Sequence, residues 1–97
     1  SEENGKNHHF ERPVLIVRKF NKDLFWGMPI SSTIKDEKWY FVFQFHGESR
    51  SLLLTQLRAM SSRRLLRRIG QISDHDFGMV QVRLQELLSI KKRIPQR

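Results

Sequence analysis

The chain has no cysteine. That removes a disulfide framework, a thiol nucleophile and a Cys-type zinc site together, and four histidines do not make up the loss. A reducing compartment is thereby permitted. Long hydrophobic runs are also missing. The longest, Pro13 to Val17 and Trp39 to Phe43, fall far short of the ~20 residues needed to cross a bilayer, and the polar N-terminus lacks the apolar centre of a signal peptide. The expectation is a soluble cytoplasmic protein without a membrane partner. At 97 residues there is too little chain for a two-domain enzyme, because one domain occupies roughly 100 to 200 residues. A single domain over 1–97 is expected. So small a chain buries only about 60 to 65% of its unfolded surface, which makes a second copy a natural source of further burial.

Acidic residues are scarce as well. Ten Asp and Glu stand against 18 Lys and Arg, giving a net charge of +8 and a pI near 10.6. Between Arg50 and Gly70 there are six arginines (Arg50, Arg58, Arg63, Arg64, Arg67 and Arg68) and no carboxylate. Such a field concentrates phosphate polyanions or an acidic protein, and charge alone does not choose between them.

What is present reads mainly as strand. Residues 1–11 hold one large apolar residue, Phe10, and read as a flexible loop. Pro13-Val-Leu-Ile-Val17 is short, β-branched and apolar on both alternations, as in a strand buried on two faces. Asn21-Lys22-Asp23 supplies turn chemistry. A second strand runs from Leu24 to Ser31, with Gly27 and Pro29 favouring a bulge or an edge. Trp39 to Phe45 and Ser51 to Arg58 read as strands three and four, flanking a hairpin loop at His46-Gly47-Glu48-Ser49. Ser61 to Arg64 reads as a short helical turn and Leu66 to Ile72 as a fifth strand. Ser73 then caps a helix, with Asp76 at its third position and Phe77, Val80, Leu84, Leu87 and Leu88 on one stripe. Lys91 to Arg97 is a basic tail. The fold class expected over 12–90 is mainly β with a C-terminal helix: a small, strongly bent antiparallel sheet or SH3-like, partly open barrel.

These residues resemble the PemK/MazF toxin family, the mRNA-cutting growth inhibitors of bacterial toxin–antitoxin pairs. The resemblance is carried by Glu11-Arg-Pro-Val-Leu-Ile-Val17, Asn21, Met28-Pro-Ile-Ser-Ser32 and Leu53-Leu-Thr-Gln-Leu-Arg58. It continues through Ser61-Ser-Arg-Arg-Leu65, Ile69-Gly-Gln-Ile72 and the closing helix. It implies a barrel-like homodimer that cuts single-stranded RNA at short motifs without metal or other cofactor. It also implies silencing by an acidic antitoxin and, through that complex, contact with operator DNA. The family opens with a Gly-Asp/Glu-aromatic strand paired to the Arg-Pro strand. Glu2-Glu-Asn-Gly5 resembles the loop that follows it, so the opening strand is expected ahead of Ser1. Family members often carry an acidic residue where this chain has Thr55, so no carboxylate base is offered there.

RNA carries a 2′-hydroxyl, so a metal-free nuclease can make that oxygen attack the adjacent phosphate if a proton is removed and the crowded phosphate is stabilised. The resemblance assigns Arg12 and Ser31 to the site. A guanidinium stays charged and forks onto two phosphate oxygens, which suits Arg12 to transition-state charge and not to proton removal. Ser31 and Ser32 suit hydrogen bonds to a phosphate, or they simply end a strand. His8 and His9, four and three residues ahead of Arg12, are the candidates for proton transfer. Gln56 and Arg58 alternate about Leu57 on the expected fourth strand; with Arg50 they are candidate RNA contacts, and an intersubunit contact is equally open. Trp26, Trp39, Tyr40, Phe41 and Phe43 read as core or dimer interface, with base stacking as the alternative. Two rival readings remain: a non-catalytic barrel that binds nucleic acid or antitoxin, and a protein-interaction module built on the Trp39 to Phe45 strand.

Overall fold

The computed structural model describes residues 12–89 and 93–96 of the chain. The expected loop over 1–11, with His8 and His9, and part of the basic tail lie outside the described residues. The elements are β1 (Val14–Lys19), β2 (Leu24–Ser31), β3 (Tyr40–Phe45), β4 (Glu48–Leu53), β5 (Arg58–Ser61) and α1 (Asp74–Leu88), with short 3-10 turns at Leu54–Gln56 and Ser62–Arg64. The strands form one curled antiparallel sheet in the order β1-β2-β4-β3, with β5 also on β2. This is the mainly β, partly open architecture with a C-terminal helix that the sequence pattern predicts.

The curl originates in β2, which changes neighbours along its length. Its first half, Leu24 to Gly27, pairs with β5, and its last residues, Ile30 and Ser31, pair with β4. Pro29 sits at the changeover. Its missing N–H would have faced the gap between β5 and β4, so a proline is tolerated within a central strand. On the opposite side the register to β1 shifts between Ile16 and Arg18, against Gly27 and Trp26. A bulge there bends the pair and raises its twist. Gly27 is required for the close approach: a Cβ at that position would lie 2.9 Å from the Leu15 carbonyl oxygen and 2.8 Å from the Phe25 ring. The β1–β2 turn is closed by Asn21, whose Oδ1 accepts from the backbone N–H groups of Asp23 (2.8 Å) and Leu24 (2.9 Å).

Three expectations are corrected. The β3–β4 loop is two residues, not four: His46 (φ 52°) and Gly47 (φ 76°) form a hairpin turn with both central residues left-handed, and pairing resumes with Phe45 opposite Glu48. The strand expected over Ser51 to Arg58 is two strands, because the chain must turn a corner between the β4 and β5 positions beside β2. Leu54 is buried at that corner, and its N–H donates to the Trp39 carbonyl at 2.8 Å. Leu66 to Ile72 forms no strand. Its apolar residues Leu66, Ile69 and Ile72 are three apart, a spacing that fits neither face of a sheet, and Leu66 is 73% exposed while Ile72 is buried. The segment is latched to the β3–β4 turn, where the His46 Nε2–H donates to the Ile69 carbonyl at 2.8 Å.

The helix begins where its cap predicts. Ser73 Oγ accepts from the Asp76 N–H at 3.0 Å, and Asp74 and Asp76 sit in the first turn, where carboxylates favour the helix dipole. Phe77, Val80, Leu84 and Leu87 meet the sheet core of Leu15, Met28, Ile30, Phe41, Phe43 and Leu52. Leu88 does not join them; one residue past Leu87 it has rotated off the stripe and is 79% exposed. Arg83 fastens the same helix face, donating through its NH2 group to the carbonyls of Lys38 (2.6 Å) and Tyr40 (3.2 Å).

Candidate nucleic-acid interface

The β1–β2 ladder runs past the last residues assigned to the strand pair. Val14 faces Pro29, and the Ile30 N–H donates to the Pro13 carbonyl at 2.8 Å. Pro13 has no N–H to return the second bond, which is why regular pairing stops there. Extended one residue beyond the paired residues, the same register aligns Arg12 with Ser31. Residues directly opposite project from the same face, and in a non-hydrogen-bonded pair they approach most closely. On the other edge of β2, Ser31 faces Ser51 of β4. Ser31 and Ser51 therefore share a row, and the extended register puts Arg12 at its end. The neighbouring row, Ile30, Leu52 and Phe41, is buried in the core, so the Arg12 row belongs to the opposite face.

A cleft of about 1350 Å³ opens beside β1, with Arg12, Arg58, Arg67 and Arg68 in its lining and, among the described residues, a single carboxylate, Asp74. Apolar side chains, among them Val14, Phe25 and Met60, make up much of the remainder. Arg58 faces Gly27, four residues along β2 from Ser31, which separates the Arg58 and Arg12 rows by roughly 13 Å at the usual strand rise. Both rows lie on the same face of β2, since they are an even number of residues apart.

The remaining predicted residues are distributed unevenly. Arg58 NH1 donates to Gln56 Oε1 at 3.2 Å, so these two do sit together, although Gln56 belongs to the 3-10 turn and not to a strand shared with Arg58. Gln56 is outside the cleft lining, as are Ser31 and Ser32. Arg50 is elsewhere: opposite Phe43 near the β3–β4 turn, it bonds Glu48 Oε1 at 2.6 Å and the Ser49 carbonyl at 2.9 Å. Its charge is already matched by a carboxylate. Phe41 and Phe43 are core, as expected, but Trp26 and Trp39 are exposed, Trp26 stacking edge-to-face on Phe20 at 5.0 Å. His8 and His9 lie outside the described residues.

The profile of PemK-like, MazF-like toxins of type II toxin–antitoxin systems matches residues 1–88. The chain belongs to that family. Among curated proteins no relative matches it. Membership in the PemK/MazF family makes the chain a toxin of a type II pair, and so the partner of an antitoxin. Among the described residues no helix is long and apolar enough to cross a membrane.

Two polar side chains of this PemK/MazF chain were not singled out by sequence reasoning. Ser51 is fully buried and Arg83 fastens the helix. A serine in an apolar run, Ser51-Leu-Leu-Leu54, was the available signal for the first. An arginine within the apolar face of an amphipathic helix was the signal for the second.

Proposed function

We propose that this chain is a metal-independent endoribonuclease toxin. Acting as a cytoplasmic homodimer, it cleaves single-stranded mRNA at short motifs and is held in check by an acidic antitoxin whose complex with it also meets operator DNA. The reaction moves the 2′-oxygen onto the adjacent phosphorus while the bond from phosphorus to the 5′-oxygen breaks. The 2′-hydroxyl proton goes to a base, and the departing 5′-oxygen takes up a proton. The products are a 2′,3′-cyclic phosphate and a 5′-hydroxyl. Arg12 meets the charge that builds on the equatorial oxygens. Ser31, with Ser32 beside it, orients the phosphate by hydrogen bonding. His8 or His9 moves protons. Arg58 guides the RNA along the cleft, with Gln56 beside it.

What supports this reading is the β1–β2 register, which extended by one residue aligns Arg12 with Ser31, beside a cleft whose lining among the described residues includes four arginines and one carboxylate. A guanidinium beside a hydroxyl on adjacent strands is the minimum that a metal-free phosphoryl transfer needs for charge and orientation. The test is incubation of purified protein with an unstructured RNA in EDTA. Fragments ending in 2′,3′-cyclic phosphate support the reading, and a mobility shift with intact RNA supports the non-catalytic barrel instead.

A further inference from the structure

The strand β2 ends at Ser31, and the chain that leaves it folds back over β4. Two hydroxyls hold it there. Ser31 Oγ accepts from the Thr33 N–H at 3.0 Å, and Ser51 Oγ donates to the Thr33 carbonyl at 2.6 Å. The peptide groups on both sides of the Thr33 Cα are thus pinned, one by Ser31 and one by its register partner Ser51. Ser51 is fully buried, the only polar residue among the described residues in that state. A buried hydroxyl is stable only with a partner, and here the partner is the Thr33 carbonyl.

The arrangement fixes the role of the Ser31 hydroxyl. A serine oxygen carries one proton and two acceptor lone pairs. With one lone pair committed to the Thr33 N–H, the proton is left to donate outward on the face that Arg12 shares. Accepting the Thr33 N–H polarises the Ser31 O–H as a donor, and the Ser51 bond to the carbonyl on the other side of the Thr33 Cα holds in place the backbone that carries that N–H.

We infer that Ser51 is a positioning residue: by holding the Thr33 carbonyl it keeps the Ser31 hydroxyl oriented as a hydrogen-bond donor to the phosphate under attack. This rests on the endoribonuclease reading above. It assigns a task to a side chain that touches no substrate, and it distinguishes Ser31 as the donor from its neighbour Ser32, whose hydroxyl has no part in this link.

The test is a double-mutant cycle of Ser51→Ala and Ser31→Ala, read as kcat and KM on an unstructured RNA, with amide hydrogen exchange at Thr33 followed in the same proteins. Ser51→Ala is expected to lower kcat about 10-fold or more, as displacement of a reacting group by around an ångström does, with KM changed less than about 2-fold. In the Ser31→Ala background the same substitution is expected to cost nothing further, because its only route to the chemistry is gone. Thr33 exchange is expected to quicken in Ser51→Ala. Ser51→Cys, which restores a weak donor of similar size, is expected to recover part of kcat. Equal activity of Ser51→Ala and wild type would overturn the inference, and so would an undiminished loss in the Ser31→Ala background, which marks a general weakening of the fold. If the wild-type chain cuts no RNA, the endoribonuclease reading is the one that fails. Thr33 exchange then decides the link by itself, and unchanged exchange in Ser51→Ala overturns it.

Discussion

Gly27→Ala tests whether the β1–β2 pairing that sets Arg12 against Ser31 depends on close backbone approach. A methyl group at Gly27 would sit 2.8 Å from Phe25 Cε2, 2.9 Å from the Leu15 carbonyl oxygen and 2.9 Å from Val14 Cγ1. The Phe25 ring can swing by a few tenths of an ångström, but the carbonyl belongs to the β1 backbone and Val14 is β-branched with restricted χ1 freedom. Relief therefore requires β1 to move off β2 beside the bulge. Overpacking of this kind costs about 1–3 kcal/mol, and restricting the unfolded chain by replacing glycine returns about 0.4–1 kcal/mol. A net loss near 1 kcal/mol or somewhat more remains, which lowers Tm by roughly 4–8 °C per kcal/mol in a domain of this size. Thermal unfolding followed by circular dichroism gives the shift. RNA cleavage should fall further than the Tm change alone accounts for, because the displaced strand carries Arg12. An unchanged or raised Tm would refute the claim that this glycine is there for space.

Other predictions rest on independent contacts. Arg83→Met keeps the aliphatic stem but removes both bonds to the Lys38 and Tyr40 carbonyls, the second of them partly buried; it should cost about 1–3 kcal/mol in urea unfolding, as loss of hydrogen bonds from a charged donor does. Ser73→Ala deletes the cap on the Asp76 N–H and should cost about 1 kcal/mol, read as a lower urea midpoint with the slope unchanged. Arg58→Gln removes one guanidinium from the cleft. It should reduce the magnitude of the slope of log affinity for single-stranded RNA against log salt by about 0.7, with no selectivity among sequences.

Much of the sheet was legible in the sequence because its strands carry local signals. Val14, Ile16 and Val17 are β-branched, Asn21 closes a turn through its own side chain, and Ser73 caps α1 as its spacing to Asp76 predicts. The failures have a common cause in tertiary context. Ser51 to Arg58 reads as one strand, because nothing local says that the chain must turn a corner at Leu54 to reach the other half of β2. Leu66 to Ile72 looks apolar enough for a strand, yet what holds it is a side-chain bond from His46, 23 residues earlier. The candidate site was half legible. Arg12 and Ser31 came from family resemblance, and the β1–β2 register that aligns them when extended by one residue comes from pairing. Arg50 was singled out for its charge, which cannot reveal that Glu48 neutralises it. Ser51 was missed because a serine in a leucine run marks a polar group in an apolar stretch but does not name its partner, which lies 18 residues back.

The most direct measurement of the central claim is RNA cleavage by Arg12→Ala in EDTA, with binding to a non-cleavable 2′-deoxy oligonucleotide measured alongside. The account predicts loss of cleavage by about 100-fold or more, the scale on which single transition-state charge donors act, while affinity for the oligonucleotide falls less than about 5-fold, as for one phosphate contact among several. Cleavage at the wild-type rate by Arg12→Ala would contradict it.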